Sequence, residues 1–184
     1  MKYCLKIFAC LTLPLIVLFV TGCAKPAAWQ NMAITKTELS TCLPPGSTLK
    51  NNIYVQEVDG GSETHPMWVS RVSNNEFKAA MLQSLKSAEL YNPNSHDSLY
   101  TLKASLNKLQ QPVIGFNFTV TSNVTYRLYK GNSNRLMFEK TLNTPYTARF
   151  SETFMGTERL QKANEGSIKE NIKEFIHHLY KLKI

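Results

Sequence analysis

The chain has 184 residues, a length that fits one folded domain. Lys and Arg number 21 against 13 Asp and Glu, so the formal net charge is +8. This balance favours acidic partners such as anionic lipids, lipopolysaccharide, acidic proteins or nucleic acids. Of the four cysteines only Cys42 lies beyond residue 23, which excludes a disulfide framework or a cysteine zinc site in the body of the chain.

The first 22 residues have the pattern of a secretory signal peptide. Lys2 and Lys6 precede an almost wholly apolar run over residues 7–20, which Thr12 and Pro14 interrupt. A positive start, an apolar middle of about 7–15 residues and small residues at the end are typical of exported proteins. A transmembrane helix needs about 20 apolar residues and tolerates an internal proline poorly. We therefore predict export and removal of this segment.

The end of the apolar run, Val20-Thr21-Gly22-Cys23, resembles the lipobox of bacterial lipoproteins, with Val where Leu is more usual. The resemblance implies that signal peptidase cuts between Gly22 and Cys23. It also implies that the Cys23 thiol receives a diacylglycerol and that its amine is N-acylated, usually with palmitate. Two or more acyl chains hold a protein on a membrane, whereas one chain binds only marginally. Ala24 stands where an aspartate would imply retention in the inner membrane, so the outer membrane is favoured.

Export also narrows the choice of partners. Removal of residues 1–22, with two lysines, leaves 162 residues that carry 19 basic and 13 acidic side chains. Because an exported protein does not meet nucleic acid, we expect contact with the membrane through the lipid anchor and with an envelope protein complex or anionic lipid. Cys42 remains as a single thiol in an oxidising compartment. We favour a buried free thiol over an intermolecular disulfide.

Residues 23–49 are predicted to be the lipidated N-terminus followed by a flexible tether without regular elements. The segment shows no sustained hydrophobic period, and it is punctuated by Pro26, Pro44, Pro45 and Gly46. A tether of this kind would space a domain from the bilayer. Trp29 either sits at the membrane interface or packs on the domain. The single folded domain is then residues 50–184.

That domain begins with a strand over Ile53–Val58, which Asp59-Gly60-Gly61 ends. A helix follows, with Asn74 or Asn75 as its N-cap. Its apolar residues fall at helical spacing and form one stripe: Phe77, Ala80, Met81, Leu85 and Ala88. Pro93 lies in the loop that ends this helix.

Alternating residues then predict an antiparallel β-meander with one buried face. The inward set is Tyr100, Leu102, Ala104 and Leu106, then Phe116, Phe118, Val120, Val124, Tyr126 and Leu128, then Leu136, Phe138 and Leu142, with Tyr146, Ala148 and Phe150 as an extension. The outward set of the middle strand is rich in Asn and Thr, which leaves that face solvated or free for a partner.

The last segment, about residues 157–182, is a long amphipathic helix. Its apolar residues repeat at spacings of three and four: Leu160, Ala163, Ile168, Ile172, Phe175, Ile176, Leu179 and Leu182. Gly166 is a predicted weak point, since glycine costs about 1 kcal/mol in a helix. The apolar sheet face needs a cover, and the two helix stripes supply it. We predict an α+β fold, a two-layer sandwich in the order β-α-β-β-β-α.

No motif for catalysis or for a cofactor is found in the sequence. Asp59, Ser62 and His65 are close in sequence, but a Gly-rich polar cluster is more typical of a turn than of a catalytic triad. Adjacent His177 and His178 point about 100° apart on a helix, which does not favour a metal site. Lys169, Lys173, Lys181 and Lys183 are expected on the solvated side of the last helix rather than on a membrane. We therefore expect no enzyme activity, no cofactor and no metal.

The layout of tether, strand, helix, meander and final helix resembles small α+β envelope lipoproteins, including the YajG type. This resemblance implies a non-enzymatic accessory or binding subunit of the cell envelope, anchored to a bacterial membrane and facing the periplasm. The candidate docking surfaces are the Asn/Thr face of the sheet, the exposed face of the last helix and the segment around Trp29. A lipid-binding module or, less favoured, a cell-envelope hydrolase are the alternatives. A deep apolar cavity between sheet and helices would favour lipid binding.

Overall fold

A computed structural model describes residues 24–64, 70–133, 135–182 and 184 of the chain. The predicted signal peptide and the lipobox with Gly22 and Cys23 lie outside the described residues, as do His65 and Lys183. None of the helices in the described part of the chain is both long and apolar enough to cross a bilayer.

Four strands form one sheet in chain order: β1 (Ile53–Asp59), β2 (Tyr100–Gln110), β3 (Phe118–Lys130) and β4 (Arg135–Ala148). Strands β2, β3 and β4 pair antiparallel, so the predicted meander is confirmed. Strand β1 pairs parallel with β2, with Ile53 opposite Tyr100. A parallel pair needs a crossover connection, and the helix α2 (Asn74–Ser87) supplies it. The sheet is therefore mixed.

Helices cover one face of the sheet, which confirms the predicted α+β sandwich. The long helix α3 (Gly156–Lys181) crosses β3 and β4, and α2 lies beside it over β1. Between the layers the Tyr126 and Phe175 rings stack 4.0 Å apart. The predicted stripe of α2 is fully buried, and in α3 only Leu160 and Leu182 of the predicted set keep partial exposure.

Helix α3 comes closest to the sheet at Gly166. A Cβ atom on Gly166 would lie 2.3 Å from Cδ1 of Tyr146, so no larger residue fits there without movement. The next residue, Ser167, accepts a hydrogen bond from the Ser122 amide at 2.8 Å and donates one to the Thr144 carbonyl at 2.8 Å. The helix runs through this point without a break, so the predicted weak point is instead a close packing contact.

One helical turn further on, Asn171 forms a buried polar centre. Its side-chain carbonyl accepts a hydrogen bond from the Tyr126 hydroxyl at 2.7 Å. Its amide group lies within 3.3 Å of the Ser122 and Leu142 carbonyls. Burial raises the pKa of the Tyr126 hydroxyl well above its usual value, so Tyr126 stays a neutral donor.

Residues 24–49 differ from the predicted flexible tether, because they pack against the domain. They include a short helix, α1 (Trp29–Met32), and a 3-10 turn at Lys36–Glu38. Met32, Ile34 and Leu49 are fully buried in the main core, and Trp29 packs against it with partial exposure. The physical reason is that isolated apolar residues can fill gaps between α2 and α3 without a helical or strand period.

Smaller differences concern element ends. The N-cap of α2 is Ser73, whose hydroxyl accepts a hydrogen bond from the Glu76 amide, rather than Asn74 or Asn75. Phe116 and Phe150 lie outside β3 and β4 and are exposed, although their alternation predicted an inward position. Phe116 lies before the start of β3 and Phe150 lies after the end of β4, so the strand period of two does not apply to either residue.

Candidate functional site

The face of the sheet away from the helices is a continuous polar surface, which we call the outer sheet face. It is formed by Asn107 of β2, by Thr119, Thr121, Asn123, Thr125 and Arg127 of β3, and by Glu139, Thr141, Asn143 and Thr147 of β4. The alternation of β3 places these side chains opposite the buried set. The predicted Asn/Thr face is therefore present.

Cross-strand hydrogen bonds join the side chains of the outer sheet face. Asn107 donates to Asn123 at 2.6 Å and to Thr125 at 2.8 Å, and Asn123 donates onward to Asn143 at 2.6 Å. The Thr125 and Thr141 hydroxyls are 2.8 Å apart. A bulge between Leu106 and Lys108 leaves Asn107 without a paired residue on β3, while its side chain lies on the same face as that of Ser105. The network holds these amide and hydroxyl groups in fixed positions on the outer sheet face.

At the end of this face, Arg127 and Glu139 form an ion pair with 2.7 Å between Nε and Oε1. Both side chains are about two-fifths exposed, so the pair contributes little to stability. A preordered polar surface of this type suits docking by hydrogen bonds to another protein, since little side-chain entropy is lost on binding.

The space between the helices and the sheet is filled by side chains, including the stacked Tyr126 and Phe175. Two cavities that are lined by described residues lie at the surface. One of about 270 Å³ lies between Thr41 and the α3 residues Lys173 and His177. Another of about 480 Å³ lies beside Pro44, Pro45 and Tyr180. These positions do not match the deep apolar cavity that would have favoured lipid binding.

The N-terminal segment is fixed to α3 by ionic contacts. Lys169 donates to the Glu38 carboxylate at 2.6 Å. Partial burial opposes ionisation of Glu38, yet hydrogen bonds from Lys169 and Thr35 lower its pKa to about 2. Glu165 of α3 accepts hydrogen bonds from the Ala28 amide at 2.9 Å and from the Asn31 side chain at 3.0 Å.

Two of the three residues of the sequence cluster Asp59, Ser62 and His65 are described. Asp59 ends β1 and Ser62 is exposed in the following loop, where its amide donates to the Val72 carbonyl. His65, the third member of that trio, lies outside the described residues. Cys42 is exposed and unbonded, so the expected buried thiol is wrong.

The two adjacent histidines point to different neighbours. His177 Nδ1 lies 3.5 Å from the Thr41 hydroxyl, whereas His178 Nε2 lies 3.9 Å from the Glu174 carboxylate. Burial and the nearby Lys140 lower the pKa of His178. Among the described residues, no group of three or more His, Cys, Asp or Glu could hold a metal ion.

A second surface was not predicted from the sequence. We call it the apolar tip: Val113, Ile114 and Phe116 of the β2–β3 loop together with Phe150, Phe154 and Met155 of the β4–α3 connection. The Phe150 ring contacts Phe116 and Phe154 edge to face, with centroids 6.0 and 5.3 Å apart. The only sequence signal for this surface is the stretch PVIGF, in which three apolar residues stand beside the turn formers Pro112 and Gly115.

Arg159 of α3 joins the β4–α3 connection of the apolar tip to Phe118, the first residue of β3. Its guanidinium group lies 4.7 Å from the Phe118 ring centroid and 5.0 Å from that of Phe150. It also donates to the Thr153 and Phe154 carbonyls, at 2.9 and 3.3 Å. The Arg159 side chain is 5% exposed, and the Phe116–Phe150 contact links the two loops, so the tip is one packed structure.

Comparison with known proteins shows the fold and no more. No protein-family model and no curated protein matches the sequence. A solved structure of a Xanthomonas campestris protein of family DUF330 is similar, with a TM-score of 0.53, 9% identity, and coverage of 74% of this chain and 88% of that one.

Two further structures are of lipoproteins by name. A minor lipoprotein of Acinetobacter baumannii matches with a TM-score of 0.49 and 10% identity, over 72% of this chain and 92% of that one. A candidate lipoprotein of Caulobacter crescentus matches with a TM-score of 0.49 and 14% identity, over 73% and 90%. At these identities a likeness concerns the fold alone.

Proposed function

We propose that this chain is a bacterial lipoprotein, acylated at Cys23, whose folded domain is a non-enzymatic binding or accessory subunit of the cell envelope. The observation that carries the proposal is the sequence Val20-Thr21-Gly22-Cys23 at the end of a short apolar run. The names of the Acinetobacter and Caulobacter structures agree with it.

The packing of the residues after Cys23 supports an anchor of this kind. Ala24 and Ala27 are buried, and the Pro26 carbonyl accepts a hydrogen bond from the Gln161 side chain at 2.9 Å. Because Ala24 is already packed on the domain, an anchor attached to the preceding residue would hold the domain close to the bilayer rather than at the end of a long tether. In this arrangement the acyl chains attach the domain to the membrane and also keep it close to the bilayer surface.

The outer sheet face supports a role in binding rather than in catalysis. Its hydroxyl and amide groups are preordered by mutual hydrogen bonds, and a polar sheet face of that kind fits a protein partner better than a small substrate. We propose that the envelope partner docks on this face. Placement in the outer membrane, from Ala24, belongs to the same proposal.

Photo-crosslinking in cells tests the docking part of the proposal. A crosslinking amino acid at Asn143, exposed on the outer sheet face, is compared with one at Gln83, exposed on α2. We expect one dominant envelope protein from position 143, absent from position 83 and lost when Cys23→Ser prevents anchoring. Equal or absent crosslinks at the two positions would contradict docking on this face. Recovery of lipid alone would favour the lipid-binding alternative.

A further inference from the structure

The apolar tip is a group of exposed hydrophobic side chains at one end of the sheet. Its Val113, Ile114, Phe116 and Phe154 are the four most exposed large apolar side chains there, at 94, 89, 80 and 80%. Single exposed apolar residues need no explanation, but a contiguous patch marks a protein or membrane contact. We therefore expect the apolar tip to be covered by a protein or a membrane.

The position of the predicted anchor identifies which of the two covers the tip. Pro26 is hydrogen-bonded to Gln161, which lies five residues after the start of α3 at Gly156. At 1.5 Å per residue this is about 8 Å along the helix axis. The apolar tip includes the residues just before Gly156. Cys23 precedes Pro26 by three residues, a reach of about 10 Å when extended. An acyl group on Cys23 and the apolar tip therefore belong to the same end of the domain.

The opposite end of the domain has a different character. The β3–β4 hairpin turn at Gly131–Ser133 is polar, and the end of α3 at Lys181 lies about 30 Å beyond Gln161 along the axis. The charges near the tip also suit an anionic membrane surface. Arg149 and Lys162 are exposed next to the phenylalanines, and Lys25 adjoins the anchor, with Glu152 and Glu158 as the acidic neighbours.

We infer that the apolar tip inserts into the lipid bilayer beside the acylated Cys23, so that the domain rests on the membrane with this end down. The inference rests on the proposed function, since it needs the anchor. Clustered phenylalanines and aliphatic side chains are the residues that enter the boundary between headgroups and acyl chains. The Phe116–Phe150 contact joins the two loops, and Arg159 braces the β4–α3 connection, so the tip presents one apolar surface to the bilayer.

Fluorescence from single labels tests this placement in the full-length, acylated protein. In a Cys42→Ser background, cleavage and acylation leave no other free thiol, so an introduced cysteine takes an environment-sensitive fluorophore at one site. Val113→Cys and Phe154→Cys report on the tip, and Ser133→Cys on the opposite end is the matched control. The protein is reconstituted in phosphatidylethanolamine vesicles that contain phosphatidylglycerol, with or without a doxyl-labelled lipid that quenches from the acyl region.

We expect doxyl lipid to lower the emission of the Val113 and Phe154 labels about twofold, since interfacial segments sit about 5–10 Å into the headgroup and acyl boundary. Aqueous iodide should quench only the Ser133 label. Tip labels that iodide quenches as strongly as it quenches Ser133 would overturn the inference. So would tip labels that neither quencher reaches, because a second copy of the chain would then cover the tip.

The intact mass of the same preparation distinguishes a failure of the proposed function from a failure of the inference about the apolar tip. An unacylated mass contradicts the proposed function and the inference with it. Acylated protein whose tip labels stay in water contradicts the inference alone and leaves the proposed function standing.

Discussion

Substitution of Gly166 by alanine tests the close approach of α3 to the sheet. In an isolated helix the change would stabilise by about 1 kcal/mol, because alanine has the higher helix propensity. In this protein the new Cβ would lie 2.3, 2.5 and 2.5 Å from three atoms of the Tyr146 ring. Carbon atoms prefer about 3.5–4.0 Å, so the ring or the helix must move.

Overpacking of this kind typically costs about 1–3 kcal/mol. After the helix gain of about 1 kcal/mol is subtracted, the free energy of unfolding falls by up to about 2 kcal/mol. In a domain of this size, 1 kcal/mol corresponds to about 2–4 °C in Tm. Urea unfolding, followed by far-UV circular dichroism, measures the change.

The control is the same substitution in a Tyr146→Ala background. With the ring removed, Gly166→Ala should stabilise by up to about 1 kcal/mol, so its effect changes sign. Stabilisation in both backgrounds would show that the helix does not approach the sheet at Gly166. Equal destabilisation in both would show that the obstacle is not Tyr146.

Three further predictions concern other contacts. Val120→Asp buries a carboxylate at a position with 0% exposure and should unfold the domain, whereas an unchanged Tm would contradict the β3 register. Arg159→Ala should lower the free energy of unfolding in urea by about 2–3 kcal/mol, because charged hydrogen bonds and packing are lost. The exposed Lys162→Ala is the control and should be nearly neutral. Equal effects of the two substitutions would refute the role of Arg159 in bracing the apolar tip. The salt bridge from Lys169 gives Glu38 a pKa of about 2 against its usual 4.5, so its contribution to stability is complete above about pH 4.5 and is lost as the pH falls towards 2. Glu38→Gln should flatten that part of the pH dependence by less than about 1 kcal/mol, and an identical acid profile would contradict the ion pair.

The elements with a clear hydrophobic period could be predicted from the sequence. Ile168, Ile172 and Phe175 repeat along one helix face, and Val124 and Tyr126 alternate with polar neighbours, because each element buries a single face. The parallel pairing of β1 could not be predicted, since a period shows which face is buried but not which strand lies alongside.

Contacts between distant parts of the chain escaped the sequence analysis. Met32 and Ile34 are buried without a periodic pattern, and Glu165 reaches the Ala28 amide across 137 residues. Gly166 looked unfavourable because helix propensity ignores what packs on the helix. Phe116 fits the alternation of β3 but lies two residues before that strand begins at Phe118, which concealed the apolar tip.

The most direct test of the central claim is the intact mass of the mature protein isolated from bacterial membranes. The proposal predicts a chain that begins at Cys23, lacks the 22 preceding residues and carries a diacylglyceryl group with an additional N-acyl chain. Cys23→Ser should abolish this mass and release the protein from the lipid anchor. A mature chain that is cut elsewhere, or that keeps an unmodified Cys23, would contradict the account.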